Sequence, residues 1–375
     1  MRTRRGACYS PATSQDGAPE MRRRKRRRIG GGEGSPAGAV EGTAACGGEN
    51  MFEELPDDLV VSILADVAAS ASSPADLAGA MLTCKRFREL GESKEVAARA
   101  SPRCLAVRAT AWSDAAHRFL QRCANAGNLD ACYLLGMIRF YCLGSRGSGA
   151  AMMAAAAVGG HREALYSLAV IQFNGSGGSK DDRDLRAGAA LCARAASLGH
   201  VDALRELGHC LQDGYGVRRS VLDGRRLLVQ ANARELASSA PLLLLRAAGN
   251  KGHSCLLSDF GCHAAARAKA AEAHAANRFL VEWFASRPIV TAAEGEGEGE
   301  ELRMCSHGMC GRPETRRHEF RRCSVCGVVN YCSRACQALH WKTAHKAECT
   351  PMDRWLENGV AANPNAMAAD GDAAP

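Results

Sequence analysis

The sequence predicts a mainly α-helical protein with a small cysteine-rich module near its C-terminal end. Hydrophobic residues make up 46% of the 375 residues, but alanine supplies many of them and aromatic residues account for only 5%. This composition favours helices that pack through small side chains, because β-sheets are enriched in β-branched and aromatic residues. Seven of the 18 cysteines lie between Cys305 and Cys349, which sets this segment apart from the helical body.

The N-terminal segment carries most of the excess charge. Residues 1–48 are rich in Arg, Gly, Ser and Pro with few large apolar side chains, so we expect them to be disordered. Within them, Met21–Arg28 (MRRRKRRR) holds seven positive charges, against a formal net charge of +8 for the chain. We interpret Arg22–Arg28 as a nuclear localisation signal that binds an importin, the alternative being a solvated run of charge. We therefore expect a nuclear protein, with the cytoplasm as a second location.

Neither export nor a membrane span is expected. The basic N-terminal segment has no apolar core of the kind found in secretory signals. The longest apolar run, AAMMAAAAV, has nine residues and is too short to cross a bilayer. The cysteines outside the C-terminal cluster are therefore expected to remain thiols and to pack as small hydrophobic side chains.

The segment Met51–Gly91 is predicted to form two amphipathic helices. Pro56, Asp57 and Asp58 make a favourable first turn, because proline needs no N–H there and carboxylates suit the positive end of a helix. After SSPAD, a second helix is predicted to start with Leu77 and to end in CKRFREL. Periodicity alone predicts a plain helical hairpin. The apolar stripe of the first helix consists of Leu55, Leu59, Ile63 and Leu64.

The order LPDDLVVSIL…DLAGAMLTCKRFREL resembles the F-box, a helical module that docks on the Skp adaptor of cullin–RING ubiquitin ligases. We place this module at residues 49–100. The segment departs from the family by a longer connection, ADVAASASSPAD, and by the lack of a final tryptophan. In the second half the matching residues are Leu77, Cys84, Lys85 and Phe87. The resemblance implies an adaptor-binding set that consists of Leu55, Pro56, Leu59, Ile63 and Leu64.

A repeat follows at residues 101–288. Three segments superpose without gaps: AGNLDACYLLG, GGHREALYSLA and LGHVDALRELG. They resemble the Sel-like branch of the tetratricopeptide solenoids, which present protein-binding surfaces. The alternative is an irregular alanine-rich bundle, and a degraded further copy near Ala247–Leu257 has no assigned register. The aligned positions are Gly127, Gly160 and Gly199, then Ala131, Ala164 and Ala203, then Leu135, Leu168 and Leu207.

Two segments that flank the cysteine module are expected to be without regular structure. Residues 289–302 include TAAEGEGEGEE, in which glutamate alternates with glycine, so we interpret this segment as an acidic, flexible linker. It is predicted to separate the helical body from the cysteine module. Residues 352–375 form a tail that we also expect to be disordered.

The cysteine module, residues 303–351, has the spacing C-x4-C-x12-C-x2-C-x5-C-x3-C-x8-H-x3-C. Eight ligands of this type build two tetrahedral zinc sites. Such fully protein-ligated sites are structural, because no position remains for a reactive water. The module should fold only with metal. His307 competes with Cys305 as first ligand, although thiolate is the more usual occupant. His340 is not assigned as a ligand.

This order of ligands resembles the MYND zinc finger, a cross-braced module that binds peptides. The resemblance implies a first zinc on Cys305, Cys310, Cys332 and Cys336. It implies a second zinc on Cys323, Cys326, His345 and Cys349. In fingers of this family that bind proline-containing peptides, the residues at Gln337 and Trp341 line the groove. Trp341 filling the core of the finger is the alternative.

The sequence predicts a binding protein and not an enzyme, because it contains no paired carboxylates in a plausible pocket, no Ser/His/Asp arrangement and no phosphate loop. Modules in this order resemble plant F-box proteins with a C-terminal MYND finger. The resemblance implies a substrate receptor of an SCF-type ubiquitin ligase, with Skp adaptor, cullin and a protein substrate as partners. A nuclear scaffold or transcriptional co-regulator, independent of ubiquitin, is the alternative. Direct DNA binding is not expected, because basic residues of the finger alternate with acidic ones.

Overall fold

The computed structural model of the chain describes residues 52, 54–246, 273–287, 289 and 302–351, and it is mainly helical within them. The predicted fold class is therefore confirmed. The basic arm with Arg22–Arg28, the possible copy at Ala247–Leu257, nearly all of the linker and the tail lie outside the described residues. In the described part, no helix combines the length and apolar character that a membrane span needs.

The helices of the body follow one another with short connections. A 3₁₀ turn, Ala109–Ala111, lies between α4 and α5. The body consists of α1 (Asp57–Ser70), α2 (Pro74–Met81), α3 (Lys85–Gly91), α4 (Lys94–Arg99), α5 (Asp114–Asn125), α6 (Leu129–Tyr141), α7 (Arg146–Val158), α8 (Arg162–Asn174), α9 (Leu185–Ser197), α10 (Val201–Asp213), α11 (Val221–Arg246) and α12 (Ala275–Ser286).

The segment Met51–Gly91, for which the sequence predicts two helices, forms three, α1 to α3, and α4 follows directly. The second predicted helix is interrupted after Met81, because Cys84 adopts an extended conformation and its sulfur accepts a hydrogen bond from the N–H of Phe87. Cys84 thereby caps a new helix, α3. Arg86 on α3 then holds the start of α1, since its guanidinium contacts Asp57 at 2.6 Å and the carbonyl of Phe52 at 2.6 Å.

The core side of α1 is defined by Val60 and Leu64, which are 0% and 1% exposed. They are four residues apart and therefore lie on one helix face. Leu64, which belongs to the predicted adaptor-binding set, is packed in the core together with Val96 of α4, and its role in adaptor binding stays a prediction. Ile63 is rotated by about 100° from Leu64 and points to solvent instead.

The repeats have the register that the sequence predicts. Gly127, Gly160 and Gly199 all adopt left-handed backbone conformations, with φ of 90°, 86° and 87°. Glycine suits each position because a Cβ disfavours this region. The aligned alanines in the next helices are completely buried, so the facing helix can approach closely. The helix pairs α6–α7, α8–α9 and α10–α11 are the three repeats.

The residue that follows each turn glycine caps the first helix of its repeat and also forms a hydrogen bond to the element before it. Asn128, His161 and His200 cap α6, α8 and α10, each accepting a hydrogen bond from the backbone three residues on. The other side of the His161 ring contacts Asp130 at 3.1 Å, and that of His200 contacts Glu163 at 2.7 Å. A ring that accepts at Nδ1 is neutral and donates from Nε2. Burial acts to raise the pKa of Glu163, but the hydrogen bond from His200 lowers it below its usual value.

Helix α12 packs back onto the beginning of the repeat array. Its Glu282 carboxylate accepts a hydrogen bond from the N–H of Ala109 at 3.1 Å. Phe279 makes an edge-to-face contact with Trp112, with ring centroids 5.3 Å apart. His274 caps the helix by accepting from the N–H of Ala276. The chain therefore returns to the first repeat before the cysteine module begins.

The cysteine module is small and has little regular structure. Its two short strands, β1 (Arg321–Arg322) and β2 (Asn330–Tyr331), pair antiparallel, with Arg321 opposite Tyr331. The helices α13 (Arg334–His340) and α14 (Lys346–Glu348) follow, joined by a π-helical turn over Trp341–His345. We refer to residues 302–351 as the finger.

Candidate functional site

The first ligand group of the finger unites two loop cysteines with two cysteines that lie beside β2 and on α13. The sulfurs of Cys310 and Cys332 are 3.5 Å apart, and those of Cys332 and Cys336 are 3.6 Å apart. Ser333 caps α13 by accepting from the N–H of Cys336 at 3.1 Å, which fixes the last ligand. All ligand atoms of this group, which also includes Cys305, lie within 4.8 Å of one another.

The second ligand group lies around the strand pair and the C-terminal helical turns. Cys323 and Cys349 place their sulfurs 3.9 Å apart, and the sulfur of Cys326 is 3.6 Å from Nε2 of His345. The N–H of Gly327 donates a hydrogen bond to the carbonyl of Cys323 at 2.9 Å, and this turn brings Cys323 and Cys326 together. Again all four ligand atoms lie within 4.8 Å.

Both groups fit tetrahedral zinc. Ligands about 2.3 Å from a central zinc lie about 3.8 Å from one another, which is the spacing found in both groups. His307 is buried but belongs to neither group, and Nδ1 of His340 instead lies 2.9 Å from the hydroxyl of Tyr331. The described part of the chain thus has two structural zinc sites. Zinc supplies a cross-link at each site, and four protein ligands hold it there.

Arg312 connects the first zinc site with the repeats. Its guanidinium lies 3.7 Å from the sulfur of Cys310 and donates to the hydroxyl of Ser167 on α8 at 2.9 Å. Burial acts to lower the pKa of Arg312, but the neighbouring thiolates of Cys310 and Cys332 raise it well above its usual value. Four thiolates on one zinc carry a net charge of −2, and a buried guanidinium compensates part of it. Sequence reasoning missed this residue, since no spacing pattern marks it.

The finger is docked on the repeats through α8 and α10. The Asn174 amide at the end of α8 donates to the carbonyl of Cys332 at 2.8 Å, so a zinc ligand is tied directly to a repeat. On α10, the Glu206 carboxylate accepts from the N–H groups of Arg334 and Ala335 at the start of α13, at 2.9 and 3.3 Å. Burial raises the pKa of Glu206 even though the charge of Arg334 opposes this.

A buried group of charges joins the finger to α10 and α11. The Glu235 carboxylate lies 2.9 Å from both the guanidinium of Arg205 and the ammonium of Lys342. The three side chains are at most 1% exposed. Because Arg205, Glu235 and Lys342 belong to α10, α11 and the finger, the prediction that a linker holds the finger apart from the helical body is wrong. An ion pair between residues so far apart in the chain cannot be predicted from a single sequence, because polar residues alone do not show which of them are in contact.

An apolar surface on α1 remains exposed. Leu59 is 48% exposed and Ile63 is 40% exposed, and one helical turn separates them. Pro56 is exposed and Leu55 is half-buried beside them. We call these four residues the α1 surface. The structure thus brings together four of the five residues predicted to bind the adaptor, and only Leu64 lies elsewhere.

The two residues predicted to line a peptide groove lie at α13. Gln337 and Trp341 are both half-buried and four residues apart, so they share one side of the helical segment. The Trp341 ring contacts His345 edge to face, with centroids 5.8 Å apart. This contact places Trp341 beside the second zinc site. The roles of both residues in peptide binding stay predictions.

The fold and the sites define a class: a helical repeat protein that carries a two-zinc finger and serves as a protein-interaction adaptor. The family model of plant tetratrico peptide repeats matches residues 105–186, and that of the MYND finger matches residues 305–349. A Sel1 repeat protein from Oxalobacter formigenes is a structural neighbour with 22% sequence identity, covering 33% of this chain and 94% of that one at a TM-score of 0.29.

Two full-length relatives identify the family. An F-box protein of Arabidopsis thaliana is 57% identical over 351 residues, which cover 90% of this chain and 89% of the relative. A second F-box protein of Arabidopsis thaliana is 60% identical over 307 residues, covering 82% of this chain and 87% of the relative. The chain belongs to this family of plant F-box proteins. The resemblance drawn from the sequence is confirmed.

Proposed function

We propose that the protein is the substrate receptor of an SCF-type cullin–RING ubiquitin ligase. In this role the helices α1–α4 bind the Skp adaptor, which connects the receptor to the cullin, and the remainder of the chain holds a protein substrate. The receptor contributes no chemistry of its own. It raises the local concentration of substrate lysines near the enzyme that carries ubiquitin.

The observation that carries this proposal is the α1 surface. Leu59 and Ile63 are large aliphatic side chains on an ordered helix, and they are exposed while Val60 between them is completely buried. Full burial of such a side chain contributes about 1.5–3 kcal/mol, so covering the 48% of Leu59 and the 40% of Ile63 that are exposed should stabilise a complex by about 1 kcal/mol each. Neighbouring exposed apolar side chains on one helix face, in contrast to single scattered ones, are a feature of protein interfaces. The names of the two F-box relatives support the Skp adaptor as the partner.

Co-purification with the Skp adaptor and cullin tests the proposal. The variant Leu59→Glu/Ile63→Glu should lose both partners, because two charges would be buried in the interface. Leu222→Glu on α11 is the matched control, since this leucine is 76% exposed and lies outside the α1 surface. Wild type and control should retain the adaptor. If wild type retains neither partner, the receptor role is wrong and a ubiquitin-independent nuclear scaffold takes its place.

The substrate, in this proposal, binds to parts of the finger that the repeats leave open. The repeat face formed by α8 and α10 is already occupied by the finger, through contacts such as Ser167 with Arg312 and Glu206 with Arg334. Gln337 and Trp341 retain partial exposure. A proline-containing segment suits such a tryptophan face, because an extended proline-rich strand loses little entropy on binding.

We further propose that the receptor acts in the nucleus. The support is the run Arg22–Arg28, which suits the acidic groove of an importin. Replacing these arginines with glutamine in a fluorescent fusion of the full chain should shift the protein to the cytoplasm. Unchanged nuclear accumulation would show that another segment directs import.

A further inference from the structure

A cavity of about 470 Å³ lies where the helices α1–α4 meet the repeats and α12. One wall is the start of α2, and the opposite wall is one face of α12, with Arg278, Phe279 and Glu282. The segment that connects α4 to α5 forms the third wall and contributes Arg103 and Arg108. This volume is in the range of small-ligand sites. The cavity belongs neither to the zinc sites nor to the α1 surface.

The lining of this cavity is strongly cationic. Arg103, Arg108 and Arg278 line it, and no acidic side chain within the described ranges forms an ion pair with any of them. Glu282 is the acidic residue of the lining, and its carboxylate already accepts the N–H of Ala109. The formal charge of the lining is therefore +2, from three arginines and one glutamate.

The other carboxylate near the cavity is also engaged by its own helix end. Asp76 accepts hydrogen bonds from the backbone and hydroxyl of Ser72, at 2.7 and 2.8 Å, and from those of Ser73. These bonds lower the pKa of Asp76, the side-chain bond from Ser72 contributing most. The capping interaction thus keeps Asp76 ionised beside the cavity. Asp76 is not part of the lining, and among the described residues it forms no ion pair with the three arginines.

We propose that this cavity binds a phosphate monoester. Guanidinium groups present planar pairs of N–H donors that match phosphate oxygens, and a phosphate monoester carries a charge of about −1.5 to −2 at pH 7. That charge is opposite in sign to the +2 of the lining. The cavity is larger than a phosphate alone, and Pro74, Val107 and Phe279 offer apolar contacts to the group that carries it. The ligand is a small phosphate ester or a phosphorylated side chain of a bound protein, and both share this chemistry.

Isothermal titration calorimetry on the zinc-loaded full chain tests the proposal. The probes are inorganic phosphate, O-phosphoserine, serine, and a five-residue peptide with a central phosphoserine. The phosphate-bearing probes should bind and serine should not. Arg108→Gln and Arg278→Gln should each weaken binding about tenfold, the loss expected for one charge-assisted contact. Both arginines are exposed, so circular dichroism and zinc content should match wild type.

The control Arg118→Gln changes an exposed arginine on α5 outside the cavity and should bind within about twofold of wild type. A peptide that binds about tenfold more tightly than O-phosphoserine identifies a phosphorylated protein as the source, and equal affinities identify a small ester. The proposal is overturned if no phosphate-bearing probe binds, or if Arg118→Gln weakens binding as much as the cavity variants do. Loss of adaptor binding through the α1 surface leaves this measurement unaffected.

Discussion

Replacing Glu235 with glutamine should destabilise the contact between the finger and the repeats. The carboxylate lies 2.9 Å from both Arg205 and Lys342, and these groups are at most 1% exposed. In the variant the two cations face an uncharged amide in a region without access to water. Removing one partner of a buried ion pair typically costs about 3–5 kcal/mol, because the remaining charge is not compensated. We expect a loss of this size in the free energy of unfolding.

Urea unfolding followed by circular dichroism measures the loss, and hydrogen exchange locates it. Protection should decrease in α10, in α11 and in the finger, since the three side chains belong to these elements. Asp223→Asn is the control on the same helix: its ion pair with Arg226 is 58% and 83% exposed, so the change should cost less than about 1 kcal/mol. Adding Lys342→Met to Glu235→Gln should recover part of the loss. Equal midpoints for Glu235→Gln and Asp223→Asn would refute the reasoning.

Three further predictions concern the zinc ligands, the tryptophan and one histidine. Metal analysis should return two zinc per chain for wild type and for His307→Gln, but about one for Cys305→Ser. Loss of zinc from His307→Gln and not from Cys305→Ser would show that His307 is the ligand in place of Cys305. Trp341→Ala should keep both zinc ions and weaken binding of a proline-rich peptide in fluorescence titrations, whereas loss of zinc would identify a packing role. Burial lowers the pKa of His274, so stability should fall as the pH drops through 6.5, the ordinary histidine value. His274→Asn, which keeps a capping oxygen as Asn128 does, should show a smaller fall in melting temperature between pH 7 and 5.

The sequence was informative where a local rule fixes the residue type. A left-handed turn requires glycine, so Gly127, Gly160 and Gly199 marked the repeats. The ligand spacing of the finger was equally readable, because zinc demands four soft ligands close together. Helical periodicity predicted the apolar stripe of α1, and the resemblance to the F-box implied its adaptor-binding set, but neither separated the buried Leu64 from the exposed Leu59 and Ile63. Periodicity places these leucine and isoleucine residues on one helix face, but it does not show which of them are buried in the core.

The docked finger was not predictable for a physical reason. Its main contacts pair Ser167 with Arg312 and Glu235 with Lys342, residues more than a hundred positions apart. Charged and hydroxyl side chains are usually exposed, so composition assigns them to the surface. Only the fold reveals that each buried charge has a partner. The break at Cys84 was missed for a related reason, because a cysteine sulfur is an uncommon helix cap.

The docked finger also fixes the spacing between the two repeats that it contacts in the described part of the chain. An open solenoid gains or loses whole repeats readily, because each unit contacts only its neighbours. Here the zinc-linked finger contacts two successive repeats at once, through Asn174 on α8 and through Glu206 and Glu235 on α10 and α11. Inserting or deleting a repeat between α8 and α10 would move at least one of these contacts by the width of a helix pair. The contacts of the finger therefore require a fixed spacing between these repeats. We expect relatives to differ in their loops and termini rather than in the number of repeats that lie between α8 and α11.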